Sequence, residues 1–140
     1  MTVEKWNAAA ITTLASTELN SLASAAGALG VEYDNATNDY PFGMFELTVT
    51  FGSAPTAGKT VDLYLIPTTD GTNYSTTVTG ASGYAQSTSY VGSFPLQAVT
   101  TLQRLNLGGI GARGTLFLPP TKFKAYILNT SGVAFPASGS

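Results

Sequence analysis

The most constraining feature is a two-residue alternation that switches on after Tyr40. Phe45, Leu47, Val49 and Phe51 alternate with Glu46, Thr48 and Thr50. Val61, Leu63 and Leu65 alternate with Asp62 and Tyr64. Successive strand side chains point to opposite faces, so each segment predicts a strand with one dry face and one wet face. Further strands are expected at Tyr90–Phe94, Gln103–Leu107, Thr115–Leu118 and Phe123–Leu128. In the last, Phe123, Ala125 and Ile127 face one way and Lys122, Lys124 and Tyr126 the other. Short strands punctuated by Gly and Pro predict a mainly β chain, an antiparallel β-sandwich or jelly-roll-like fold. Residues 68–89 are rich in Thr, Ser, Gly and Tyr and read as a long surface excursion.

The N-terminal part follows a different period. Ile11, Leu14, Ala15, Leu19, Leu22, Ala25, Ala26 and Leu29 recur near every 3.6 residues, and Gly27 and Gly30 offer stops. This predicts an arm over residues 1–40, helical over about 7–29 or else extended, ahead of a sandwich domain at 41–140. Thr12, Thr13, Ser16 and Thr17 weaken intrinsic helicity, so the arm needs a surface to pack on. Trp6, Leu14, Leu19 and Leu22 are the expected anchors on a neighbouring subunit or larger assembly.

Composition narrows function. The 140 residues include six Lys or Arg and eight Asp or Glu, so 10% are charged where about 25% is usual. Without His or Cys, a serine–histidine triad, a thiol nucleophile and a histidine- or thiolate-ligated zinc site are excluded. The expectation is that the protein is not an enzyme and needs no cofactor or metal. Net charge of −2 and scattered cations argue against a nucleic-acid partner. No stretch approaches the about 20 apolar residues of a membrane-spanning helix. A secretory leader is disfavoured because Thr12-Thr13 and Ser16-Thr17-Glu18 break the apolar run after Lys5.

Several local patterns have ordinary explanations. Gly109-Ile110-Gly111-Ala112-Arg113-Gly114 matches GxGxxG but lies between two expected strands rather than opening a helix. Gly58-Lys59-Thr60 imitates the end of a phosphate loop, but Ser53 stands where the first glycine is required. Glu32, Asp34, Asn35, Asn38 and Asp39 lack the spacing of an EF-hand and read as an Asx-rich turn. Glu46 and Asp62 read as solvated strand-face residues rather than a paired-carboxylate site. Sequons at Asn35, Asn73 and Asn129 are near chance in so Ser/Thr-rich a chain. Tyr74, Tyr84 and Tyr90 are expected on an exposed or inter-subunit loop, where they would either half-bury against the sandwich or a neighbouring subunit, or stack on sugar rings.

An ordered set of segments runs through the whole chain. Trp6 and Thr17-Glu18-Leu19-Asn20-Ser21-Leu22 precede Asp34-Asn35-Ala36-Thr37-Asn38 and Phe45-Glu46-Leu47-Thr48-Val49. Val61-Asp62-Leu63-Tyr64-Leu65-Ile66-Pro67 and Asp70-Gly71-Thr72-Asn73-Tyr74 follow. Leu118-Pro119-Pro120-Thr121-Lys122-Phe123-Lys124 and Asn129-Thr130-Ser131-Gly132-Val133-Ala134 close the set. Together they resemble a family of small tailed-bacteriophage virion proteins of the capsid decoration (cement) type. The resemblance implies a jelly-roll-like sandwich, a homotrimer on the outside of an icosahedral head, and the major capsid protein as partner. It implies no catalytic residues. A tail, head-fibre or adaptor role, or a carbohydrate-binding sandwich module, are the alternatives. Family members continue beyond the equivalent of Ala137-Ser138-Gly139 into another strand. The expectation is therefore that this strand's place is empty or filled by another segment, such as a neighbour's arm.

Overall fold

The computed structural model describes residues 11–37, 39–108 and 116–138. Among the described residues nine strands follow one 3-10 turn at Thr17–Leu19: β1 Ala26–Asp34, β2 Phe42–Gly43, β3 Phe45–Val49, β4 Thr60–Pro67, β5 Gly80–Ala81, β6 Tyr90–Pro95, β7 Gln103–Leu107, β8 Leu116–Phe117 and β9 Lys122–Asn129. A second 3-10 turn, Ser87–Ser89, leads into β6. The fold is mainly β with antiparallel sheets in a sandwich-like arrangement. The strands expected from alternation all form, within a residue or two at their ends.

The larger sheet has the order β5-β1-β9-β4-β6, and every pairing is antiparallel. Opposite it, β3 pairs with β7 and β2 with β8. Exposure alternates without a break from Phe42 to Val49, so β2 and β3 act as one strand. The core lies between the layers. Val61, Leu63, Leu65, Phe94, Phe123, Ala125 and Ile127 come from the larger sheet, and Leu47, Val49 and Phe51 from the opposing side. Burying such side chains contributes about 1.5–3 kcal/mol each before conformational entropy is charged against it.

The N-terminal expectation is corrected here. Residues 7–10 lie outside the described residues, but over the rest of the expected helix only Thr17–Leu19 is helical, and Ala26–Leu29 belong to β1. Left-handed backbone at Ser21 (φ 56°) and Ala25 (φ 63°) breaks the path that a helix would need. The Ser/Thr-rich stretch has little helical propensity to resist this, and β9 offers a full hydrogen-bonded ladder. The division at residue 40 falls with the helix, since β1 sits between β5 and β9 inside the large sheet.

Irregular chain completes the smaller layer. Leu19 and Leu22 are buried with Phe135, and Phe135 meets Phe51 edge-on with centroids 5.6 Å apart. Backbone bonds from Ser21 N–H to the Pro136 carbonyl (2.8 Å) and Phe135 N–H to the Leu22 carbonyl (3.0 Å) tie the two ends together. These segments of the same chain cover core that a fuller second sheet would otherwise close.

The long excursion also folds inward. It lies across the outer face of the large sheet, where Ile66, Ala85 and Tyr126 form a second buried cluster with Leu29, Tyr64, Tyr74 and Leu128 around it. Gly83 donates its N–H to the Ala25 carbonyl (3.0 Å), and a Cβ at Gly83 or Gly27 would overlap the other strand's backbone or the Tyr126 hydroxyl. Glycine at both positions is therefore what lets the loop close on β1. Tyr126, on the polar side of β9 by sequence, becomes fully buried because of this cover.

Candidate functional site

Among the expected anchors, Trp6 lies outside the described residues. Leu14 is half-buried against the core, and its carbonyl accepts the Val31 N–H at 2.8 Å. Leu19 and Leu22 are 4% and 8% exposed, so both are used inside this chain and are withdrawn as anchors for a neighbour. Periodicity identified them as apolar contacts but carried no information about which molecule supplied the other side.

The three loop tyrosines have different surroundings. Tyr74 is half-buried, donates its hydroxyl to Glu32, and has Lys124 Nζ 4.6 Å above its ring. Burial, then the Glu32 contact, pushes its hydroxyl up to about 12. The Tyr74 hydrogen bond, then Lys122 at 3.1 Å, holds the Glu32 carboxyl below its ordinary range. Tyr74 is thus a fastening between loop and sheet. Tyr84 is exposed and makes a backbone bridge with Val78. Tyr90 stands half-exposed at the start of the edge strand β6, its ring 5.4 Å from that of Tyr64 in an edge-to-face contact.

An apolar patch emerges on the opposite layer. Phe42 faces Phe117 across the β2–β8 pair, with centroids 5.1 Å apart. Phe117 is 78% exposed and Met44 65%. Further along the same outward face the composition turns polar, with Glu46 paired to Arg104 at 3.4 Å. The sequence held a signal for this patch. Phe42 and Met44 share the parity of Glu46 and Thr48, so two large apolar side chains occupy the wet side of the strand. Contiguous exposed apolar patches, when large, mark contact sites on soluble proteins.

Between β6 and the chain at Phe117–Pro119 runs an open groove of about 410 Å³. Tyr90 and Phe117 flank it, Ser75, Thr88 and Ser89 supply hydroxyls, and none of the described lining residues is charged. Just outside it, Tyr90 Oη lies 2.7 Å from Ser93 Oγ. Ser93 Oγ donates to Asp62 Oδ1 at 2.5 Å, and Thr60 Oγ1 donates to the same oxygen at 2.9 Å.

The remaining patterns have structural roles. Asn35 is fully buried, donating to the Tyr40 and Pro119 carbonyls (2.8 Å each) and accepting the Tyr40 N–H at 3.1 Å. Among the described residues no group of three or more carboxylates is placed to share a metal. Glu46 and Asp62 project from the outer faces of opposite sheets, so they do not flank a common cleft. Gly58 has left-handed backbone in a turn and Thr60 begins β4, so Lys59 precedes a strand rather than a helix. Residues 109–114 lie outside the described residues. No described helix is long and apolar enough to cross a membrane. Compared with family models, curated proteins and solved structures, the chain matches none.

Proposed function

We propose that this chain is a structural virion protein of a tailed bacteriophage, not an enzyme, which decorates the exterior of the icosahedral capsid. In this reading it assembles as a homotrimer and holds the major capsid protein by non-covalent contacts, reinforcing the shell. The observation that carries the contact is the outward patch of Phe42, Met44 and Phe117, three large apolar side chains exposed together on one face. With so few charges in the chain, a neighbour could cover its polar surface at small desolvation cost. The ordered segments that resemble the decoration family support a capsid as the assembly in which this contact is made. The patch takes over the anchoring role first expected of Leu19 and Leu22.

The test uses purified heads. Particles lacking the protein should lose resistance to heat or chelator, and adding it back should restore that resistance. A Phe42→Ser/Phe117→Ser double variant should remain folded by circular dichroism but bind such heads far more weakly. Absence of the protein from purified heads, or full retention of the double variant, refutes the reading. A dozen or fewer copies per particle would instead assign it to the tail, head fibre or neck.

A further inference from the structure

We propose that the groove between β6 and Phe117–Pro119 is a binding site for a neutral carbohydrate chain, filled in alternation with capsid contact because both use Phe117. Its size, about 410 Å³, is within the usual range for small-ligand sites. Its chemistry selects the ligand class. Among the described residues that line it, none is a cation to hold a phosphate or carboxylate and none is a carboxylate to hold an amine. A wholly apolar ligand would desolvate the hydroxyls of Ser75, Thr88 and Ser89 without offering them hydrogen bonds. A sugar ring matches both demands: its C–H face lies on an aromatic ring while its hydroxyls bond at the edge. Tyr90 and Phe117 supply the rings.

The hydrogen bonds beside the groove fix the polarity of Tyr90. An ionised Asp62 can only accept, so Ser93 must donate to it. Ser93 Oγ then has no proton left for Tyr90, and the 2.7 Å contact must run from the Tyr90 hydroxyl to Ser93. Tyr90 Oη is therefore a fixed donor inward, leaving lone pairs free to accept from a ligand hydroxyl. Edge-to-face contact with Tyr64 limits rotation of the ring. Little of the binding free energy is then spent on ordering this side chain.

The experiment is a titration of the isolated full-length protein, followed by amide shifts in two-dimensional NMR. The probes are maltohexaose, cellohexaose and chitohexaose. At least one should produce saturable shifts at Ser75, Thr88–Val91 and Phe117–Leu118. Tyr90→Ala should weaken that binding by about tenfold or more, while Tyr90→Phe, which keeps the ring and loses the acceptor, should cost only about threefold. Tyr90 is half-exposed, and an unchanged spectrum away from the groove verifies that each variant is folded. Three results overturn the proposal: no saturable shift with any probe, shifts unaffected by Tyr90→Ala, or shifts confined to residues outside the groove. Capsid binding enters none of these readouts, so the two proposals fail separately.

Discussion

Replacing Asn129 tests whether the N-terminal segment is fastened into the fold by one buried amide. Asn129 ends β9 and is fully buried. Its Nδ2 donates to the carbonyls of Leu22 (2.9 Å), Ala23 (3.2 Å) and Val133 (2.9 Å), and its Oδ1 accepts the Ser131 N–H at 3.0 Å. Each carbonyl also has another donor: Phe135 N–H for Leu22, Ala26 N–H for Ala23, and Ser131 Oγ for Val133. Asn129→Ala therefore orphans no carbonyl, but it strands the buried Ser131 N–H. Two side-chain protons bonded at about 1 kcal/mol each, with about 1–3 kcal/mol for the stranded donor, give a loss of about 4 kcal/mol. That is a large part of the about 5–15 kcal/mol typical of a domain. Asn129→Asp keeps the acceptor and the volume but aims a carboxylate at three carbonyls. Burial and those carbonyls raise the introduced carboxyl's pKa. Stability is then higher when the group is protonated, and falls as pH rises through the raised value. Urea unfolding followed by circular dichroism should show Asn129→Asp weaker than Asn129→Ala at neutral pH, with the order narrowing or reversing by roughly pH 4. A loss below about 1 kcal/mol for Asn129→Ala, or no pH dependence for Asn129→Asp, would refute the reasoning.

Three further outcomes are expected. Leu19→Ala and Leu22→Ala should each cost about 2–5 kcal/mol in urea unfolding, whereas residues on a detached arm would cost almost nothing. Tyr126→Phe removes the 2.6 Å bond from its hydroxyl to the Val78 carbonyl and should cost about 1 kcal/mol. In that variant limited proteolysis should cut residues 75–84 faster, and Gly83→Ala should accelerate cutting further because its Cβ meets backbone of β1. The Tyr74–Glu32 fastening should set both pH limits of loop closure. Glu32 is held low, so its contribution is present above the ordinary glutamate range and lost as pH falls through the lowered value. Tyr74 is raised, so its contribution is complete below about pH 10 and lost as pH rises toward about 12. Tyr74→Phe should flatten its part of the alkaline slope in thermal unfolding, and Glu32→Gln should flatten the acid one.

Much of the fold was legible because strand alternation is local. Phe45, Leu47 and Val49 must share a face whatever lies opposite, as must Phe123, Ala125 and Ile127. The outward patch was legible in principle too, since Phe42 and Met44 break that parity rule on the wet side. Composition likewise excluded histidine and cysteine chemistry without any coordinates. The identity of each apolar residue's partner was not legible. Ile11, Leu14, Leu19 and Leu22 fit a helical period, yet the chain keeps only the Thr17–Leu19 turn, and left-handed backbone at Ser21 and Ala25 leads it on while Leu19 and Leu22 enter the core. Pairing with β9 makes Ala26–Asp34 a strand, because a ladder of hydrogen bonds outweighs weak local propensity. The same holds for the groove. Tyr90, Ser75 and Phe117 are distant in sequence, and only the closure of the loop and the passage of Phe117–Pro119 along the groove bring rings and hydroxyls together. Sequence determined which faces are dry, a nearest-neighbour property. Tertiary structure decided which dry faces meet and which are left open, because that depends on pairings far apart along the chain.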